Sequence, residues 1–177
     1  MKMSNAEKLI ATMLCEVMKK VKATDELDPD LIQDAIYSNH LWAIEWKYHG
    51  LFADNADETP EEVGYVVDVL DMWSFIEDAS AGLSTEDVAR VKEAHPHFSG
   101  TFPGFDGNNE SELLSIARML VGKLERFEEF DGRVNNSHMP TTPRYKRMLT
   151  VFEPIRVDLG APRKLNADEL IAIFARQ

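Results

Sequence analysis

The sequence predicts an all-α protein, a compact bundle of about seven helices, and three observations support this fold class. A capping side chain, often with a proline, precedes acidic residues and an apolar stripe at seven places along the chain. Within each stripe the apolar residues recur at steps of three and four, as one face of a helix requires. No stretch keeps the two-residue alternation of a strand, and no hairpin dipeptide separates two apolar runs.

The first helix is predicted to begin at a capping box formed by Ser4 and Glu7. Its apolar face consists of Leu9, Ile10, Met13, Leu14, Val17 and Val21. We expect this face to pack against the rest of the bundle. A second helix is predicted from the cap at Asp28, with Pro29 at its first position, to Gly50.

The third helix has the clearest start, a capping box at Thr59 followed by Pro60, and we expect it to end at Gly82. A shorter fourth helix begins at Ser84. It should end at His95, because a residue that precedes a proline disfavours helical backbone.

The fifth predicted helix runs from Glu112 to Gly132 and is expected to be the central one, because its apolar residues form a regular seam. The sixth opens at Thr142. It should break or kink at Pro154, since proline lacks the backbone donor. Asn166 caps a last short helix.

Composition limits the range of functions. The chain has 177 residues, 19 basic against 31 acidic residues, a net charge of −12 and one cysteine. Negative charge opposes direct binding to nucleic acid or to an anionic membrane. No apolar run approaches the length of a membrane span, and no signal peptide is recognisable. We therefore expect a single cytoplasmic domain over residues 1–177, without an internal disulfide.

The most unusual segment is a loop rich in glycine and phenylalanine that precedes the fifth helix. A helix N-terminus offers free N–H groups and a positive dipole end, so a small anion is a plausible ligand there. The candidate ligand-binding residues are Phe102, Phe105, Asp106, Asn108, Arg118, Tyr145 and Arg147. The structural alternative is that the polar residues form turns and caps while the aromatic rings anchor the loop.

A metal-dependent hydrolase or nuclease that uses Asp106, Glu110 and His97 is the alternative function. The spacing of the acidic residues is similar to the start of a calcium loop, but the required glycine and glutamate are absent. His95 and His97 flank a proline with no other ligand spacing nearby, so exposed loop histidines explain them better. The sequence contains no serine elbow, Walker loop or dinucleotide fingerprint, and we predict no cofactor, no metal and no catalytic residue.

Several motifs together resemble the YfbU family of bacterial proteins. They are Ser-Asn-Ala at residues 4–6, Val-Leu-Asp-Met-Trp at 69–73, Phe-x-Gly-Phe-Asp at 102–106, Tyr-x-x-Met-Leu at 145–149 and Leu165, Glu169 and Ile171 near the end. The resemblance implies a mostly helical domain of about this length in a family of uncharacterised function. Some relatives carry a further DNA-binding segment, which suggests ligand sensing. This sequence shows no such segment, so we expect a regulatory role to need a separate partner.

The first hypothesis is therefore a non-enzymatic module that binds an unknown small ligand or a protein partner. Apolar stripes on at least five helices exceed what a simple four-helix core hides, and symmetric dimers are the commonest closed assembly. We expect a homodimer.

Overall fold

The structure is a computed structural model and describes residues 1–23, 26–52, 58–159 and 163–175. These residues form nine α-helices, seven of which have eight residues or more, and their one β-type pairing is a bridge between Phe105 and Asn136. The helices are α1 (Asn5–Val21), α2 (Pro29–Tyr37), α3 (Trp42–Lys47), α4 (His49–Phe52), α5 (Glu61–Gly82), α6 (Thr85–Ala94), α7 (Ser111–Gly122), α8 (Thr142–Asp158) and α9 (Ala167–Phe174). The all-α prediction is confirmed.

Capping residues determine where most helices begin. At α1 the Ser4 hydroxyl accepts from the Glu7 amide at 3.3 Å, and the Glu7 carboxylate accepts from the Ser4 amide at 2.7 Å. The same reciprocal pair forms at α9 between Asn166 and Glu169. Ser84 caps α6 through the amide of Asp87. The predicted starts of these helices are therefore confirmed.

The predicted second helix is in fact three helices. α2 ends at Tyr37, and Asn39 adopts a left-handed backbone with φ of 60°, which turns the chain before α3. Asparagine tolerates this conformation better than most residues. Gly50 lies inside α4 and does not end a helix. Thr59 does not cap α5: Pro60 occupies the N-cap position without a side-chain cap. The Thr59 hydroxyl instead accepts from the indole N–H of Trp46 at 3.1 Å.

One predicted helix end is wrong, and the break predicted as one outcome at Pro154 does not occur. α7 ends at Gly122 instead of Gly132, because Glu125 and Phe127 both adopt left-handed backbone with φ of 54°. α8 continues as a helix through Pro154 to Asp158. The missing donor is tolerated there because the residue lies close to the end of the helix, where few backbone bonds remain to be disrupted.

The central helix is α5 and not the predicted fifth helix. Eight of its side chains are buried, namely Val63, Val66, Val69, Leu70, Met72, Trp73, Ile76 and Ala79. α5 packs against α7 and α8, and α9 packs against both α6 and α8. This arrangement brings the end of α6, the start of α8 and the end of α9 together on one side of the bundle.

The first helix departs from its predicted packing. α1 packs on α2, and Cys15 is its one buried residue. The predicted apolar face points to solvent instead of the core, with Leu9 and Val21 more than 60% exposed. Among the described residues, no helix combines the length and the apolar character that crossing a bilayer requires.

Candidate functional site

Three of the predicted ligand-binding residues are aromatic and lie in the core. Phe102, Phe105 and Tyr145 are at most 4% exposed. The ring of Phe105 packs edge-to-face against Phe102 and Tyr145, with centroids 5.8 and 5.6 Å apart. The Tyr145 hydroxyl donates to the Gly104 carbonyl at 2.8 Å. The three rings therefore anchor the loop to the bundle. This is the alternative to ligand binding that the sequence also allows.

Asp106 and Asn108 form part of a turn at the end of that loop. The Asp106 side chain is 1% exposed and accepts from the Asn108 amide at 3.0 Å and from the side-chain amide of Asn109 at 2.5 Å. The Asn109 hydrogen bond, with help from the Asn108 amide, lowers the pKa of Asp106. The carboxylate is therefore ionised and already hydrogen-bonded within its own turn.

The Glu110 carboxylate, just before α7, is also held by hydrogen bonds from neighbouring protein groups. Its carboxylate accepts from the amides of Asp106, Thr141 and Thr142, at 3.0, 2.8 and 2.6 Å, and from the Thr141 hydroxyl at 2.7 Å. Burial raises the pKa of Glu110, but these hydrogen bonds outweigh burial and lower the pKa to about 2. The charged side chain connects the starts of α7 and α8.

The metal-dependent alternative is not supported by this geometry. Both carboxylates that it requires, those of Asp106 and Glu110, accept hydrogen bonds from neighbouring protein donors. His97 lines a cleft whose described residues include neither carboxylate. Within the described ranges, no group of three or more His, Cys, Asp or Glu side chains is placed to hold a metal ion.

The two predicted arginines are exposed but lie in different depressions. Arg118 lines a shallow one beside Tyr37, and its Nε donates to the Val134 carbonyl at 3.4 Å. Arg147 lines a different cleft on α8 and donates to the Pro143 carbonyl at 2.9 Å. The structure therefore does not bring the predicted residues together into one surface, and their role in ligand binding stays a prediction.

The cleft beside Arg147 is the best-formed candidate site. It measures about 710 Å³ and lies between the end of α6, the first turns of α8 and the end of α9. We call it the basic cleft, after six of its lining residues: His95, His97, Phe98, Arg144, Arg147 and Phe174. Because Arg144 and Arg147 are three residues apart on α8, their side chains project from the same helix face.

The basic cleft has one apolar wall. Phe98 and Phe174 pack edge-to-face with centroids 4.9 Å apart. The Arg144 guanidinium carbon lies 5.3 Å from the Phe174 ring centroid, within cation–π range. His95 Nε2 donates to the Ile171 carbonyl at 2.9 Å, which fixes the imidazole against α9. A flat apolar surface therefore lies directly beside cationic groups.

Of the residues that line this cleft, Arg147 alone is among the ligand-binding residues that the sequence predicts, and the sequence does not predict that these segments meet. The sequence predicts His95 and His97 as loop histidines, with His97 a metal ligand in the alternative function, and Arg147 belongs to a separate segment about 50 residues later. Their meeting depends on how α6, α8 and α9 pack, which no local pattern encodes. The available signal was a cluster of arginines on one helix face and a histidine pair at a helix end.

Comparison with known proteins places the chain in a family. The model of the YfbU domain matches residues 1–175. The chain is also similar to UPF0304 protein MJECS11 of Methanocaldococcus jannaschii, with 24% identity over 157 residues that cover 85% of this chain and 88% of that protein. The match runs over nearly the entire described fold, including all three segments that form the basic cleft. This chain therefore belongs to the YfbU family.

Proposed function

We propose that this protein is a ligand-binding module that holds a small organic anion in the basic cleft. The observation that carries the proposal is local charge. The described residues lining the cleft include two arginines and two histidines and no acidic residue, although the chain has a net charge of −12. The charges of the two arginines attract anions to one place on an otherwise acidic protein.

The size and the walls of the cleft indicate the class of ligand. A volume of about 710 Å³ falls within the range of roughly 300–1,000 Å³ that is usual for small-molecule sites. Phe98, Phe174 and Met148 provide apolar contact area. Guanidinium groups such as that of Arg147 bind carboxylate and phosphate through paired hydrogen bonds. The favoured ligand therefore has a carboxylate or phosphate and a flat apolar part.

The chemistry of the lining favours binding over conversion. No serine, threonine, cysteine or carboxylate side chain occurs among the described residues that line the cleft. A histidine without a nucleophile or a charged partner lacks the usual arrangement for covalent catalysis. A module that binds and releases its ligand unchanged fits this set of residues.

Calorimetric titration with 1-naphthoate and phenyl phosphate tests the proposal. We expect both anions to bind, and neutral 1-naphthalenemethanol to bind at least tenfold more weakly. Arg147→Gln should weaken naphthoate binding by about tenfold or more, because one charge-assisted hydrogen bond contributes about 1.5–3 kcal/mol. Raising the salt concentration should also weaken naphthoate binding to the wild type.

Lys146→Gln is the matched control. Lys146 is the neighbouring residue on α8, but its ammonium lies 5.9 Å from the ring centroid of Tyr65 in a different depression. This variant removes the same charge without touching the basic cleft, so naphthoate affinity should stay unchanged. No binding of either anion at millimolar concentration, or an equal loss in both variants, would overturn the proposal.

A further inference from the structure

The outer surface of α1 is a continuous apolar stripe. The side chains of Leu9, Ile10, Met13, Leu14, Val17 and Val21 are 55–66% exposed. They account for six of the ten exposed large hydrophobic residues in the described part of the chain. Single exposed apolar residues are ordinary, but a contiguous stripe along one helix is typical of an interaction surface. We call these six residues the outer face of α1.

The opposite side of α1 explains why this face points outward. The side-chain amide of Gln33 on α2 donates to the Thr12 carbonyl at 3.4 Å and to the Glu16 carboxylate at 2.8 Å. Lys19 forms an ion pair with Asp30 at 2.5 Å. These polar contacts attach α1 to α2 around the buried Cys15, and they leave the apolar stripe on the opposite side of the helix, toward solvent.

We infer that a second copy of this chain covers the outer face of α1, with the two α1 helices antiparallel. This inference is independent of the basic cleft, which lies on α6, α8 and α9. A closed dimer needs a patch that is complementary to itself under a twofold rotation. The outer face of α1 meets that condition.

The self-complementarity follows from the positions of the residues. When α1 is turned end over end about the point between Met13 and Leu14, those two residues exchange levels. Ile10 then comes level with Val17 of the second copy, and Ala6 comes level with Val21 of the second copy. Ile10, Met13, Leu14 and Val17 therefore face one another across the axis, and Val21 at the end of the stripe faces Ala6. Leu9 comes level with Met18, which lies outside the outer face of α1.

Charge also favours a second copy in the antiparallel arrangement. α1 ends with Lys19 and Lys20, and Lys22 follows directly, whereas its first turn carries Glu7. Parallel helices would place both sets of lysines together. In this register, antiparallel helices separate Lys20 of one copy from Lys20 of the other by about 20 Å along the helix axis, or roughly 13 residues at about 1.5 Å each. That separation exceeds the screening length of about 8 Å at physiological salt, and the helix dipoles are also opposed.

The area of the outer face is sufficient for a specific dimer. An aliphatic side chain presents on the order of 100 Å² of apolar surface. Six of them correspond to about 600 Å² per copy and about 1,200 Å² for a symmetric pair if the stripe is covered completely, which reaches the lower end of specific interfaces. We therefore expect a reversible dimer that depends on protein concentration.

Sedimentation velocity between about 1 and 200 µM tests the inference. We expect a monomer–dimer equilibrium for the wild type and a monomer for Leu14→Glu, because two like charges then meet near the twofold axis. Leu14→Lys should also be monomeric, and mixing the two variants should restore the dimer. This rescue separates a loss of interface from a loss of folding.

Val157→Glu is the matched control, since Val157 on α8 is 86% exposed and lies outside the outer face of α1. It should dimerise like the wild type. A monomeric wild type over the whole concentration range would overturn the inference, and so would an unchanged dimer in Leu14→Glu. Binding of a monomeric wild type to phosphatidylglycerol vesicles that Leu14→Glu abolishes would assign the face to a membrane surface and would also overturn it.

Cysteine crosslinking determines the orientation of the helices. In a Cys15→Ser background, Val21→Cys should not crosslink with itself. It should crosslink when mixed with Ala6→Cys, because the two positions are level in an antiparallel pair. Efficient crosslinking of Val21→Cys with itself would indicate parallel helices and would contradict the proposed arrangement.

Discussion

The Glu110 carboxylate accepts hydrogen bonds from both the amide and the hydroxyl of Thr141, at 2.8 and 2.7 Å, although the two residues are 31 positions apart in the chain. Glu110 precedes α7 and Thr141 precedes α8. The side chain therefore joins two helix starts that no backbone hydrogen bond connects. Because it accepts N–H groups near the first turn of α8, it also complements the positive end of that helix.

We predict that Glu110→Gln destabilises the protein by about 2–3 kcal/mol, because an amide NH₂ replaces one acceptor oxygen and leaves buried N–H donors facing a donor. Urea unfolding at pH 7 measures the change. Glu93→Gln is the control, since Glu93 is exposed on α6, and it should change the free energy of unfolding by less than about 0.5 kcal/mol. Equal stability of both variants would contradict the structural role of Glu110.

Acid should weaken the fold through the same carboxylate. The pKa of Glu110 is about 2 in the folded protein against a usual value of 4.5, so the unfolded chain binds more protons between these values. The contribution of Glu110 is therefore complete above pH 4.5 and is lost as the pH falls toward 2. Urea unfolding between pH 5 and 2.5 should show a smaller acid dependence in Glu110→Gln than in the wild type.

His40 should produce a second pH dependence in a different range. It is 1% exposed, its Nε2 lies 2.8 Å from the Ser115 hydroxyl, and burial lowers its pKa below 6.5 against the opposing effect of Glu112. The unfolded state therefore binds the proton more tightly, and stability decreases as the pH falls through 6.5. His40→Gln should flatten the slope of the free energy of unfolding between pH 7 and 5, and an unchanged slope would contradict this role of His40.

Replacing Gly104 or Gly64 with alanine should change the stability of the protein in opposite directions. Gly104 has φ of 90°, and an added Cβ would lie 1.9 Å from the Asn135 carbonyl oxygen, so Gly104→Ala should destabilise by at least about 3 kcal/mol. Gly64 is exposed inside α5, with no atom within 4 Å of an added Cβ. Gly64→Ala should stabilise by about 0.5–1 kcal/mol, because alanine favours the helix. Thermal and urea unfolding of both variants measure these changes.

The helix starts are the part of the fold that the sequence encodes locally. A capping side chain and its helix lie within four residues, so Ser4 and Asn166 act as predicted. Helix ends depend on contacts that are distant in sequence. Leu124 and Phe127 continue the apolar spacing of α7, but left-handed backbone at Glu125 and Phe127 ends the helix first. Apolar spacing alone does not distinguish a buried helix from a buried turn.

For the candidate site too, the sequence predicts local features but not the contacts between distant segments. The sequence identified the loop around Phe105 and Asp106 as unusual, and its unusual composition reflects a buried anchor. The apolar stripe of α1 was identified correctly, but its orientation was not, because periodicity defines a face without showing what covers it. Polar contacts from Gln33, which local patterns do not reveal, set that orientation.

The burial of Cys15 on the inner side of α1 has a chemical consequence. The chain contains a single thiol, and it lies on the side of α1 that contacts α2, where burial raises its pKa. An alkylating reagent reaches this sulfur when α1 detaches, so the rate of modification reports the frequency of that local opening separately from unfolding of the core. The protein thus contains a built-in reporter for the attachment of its first helix.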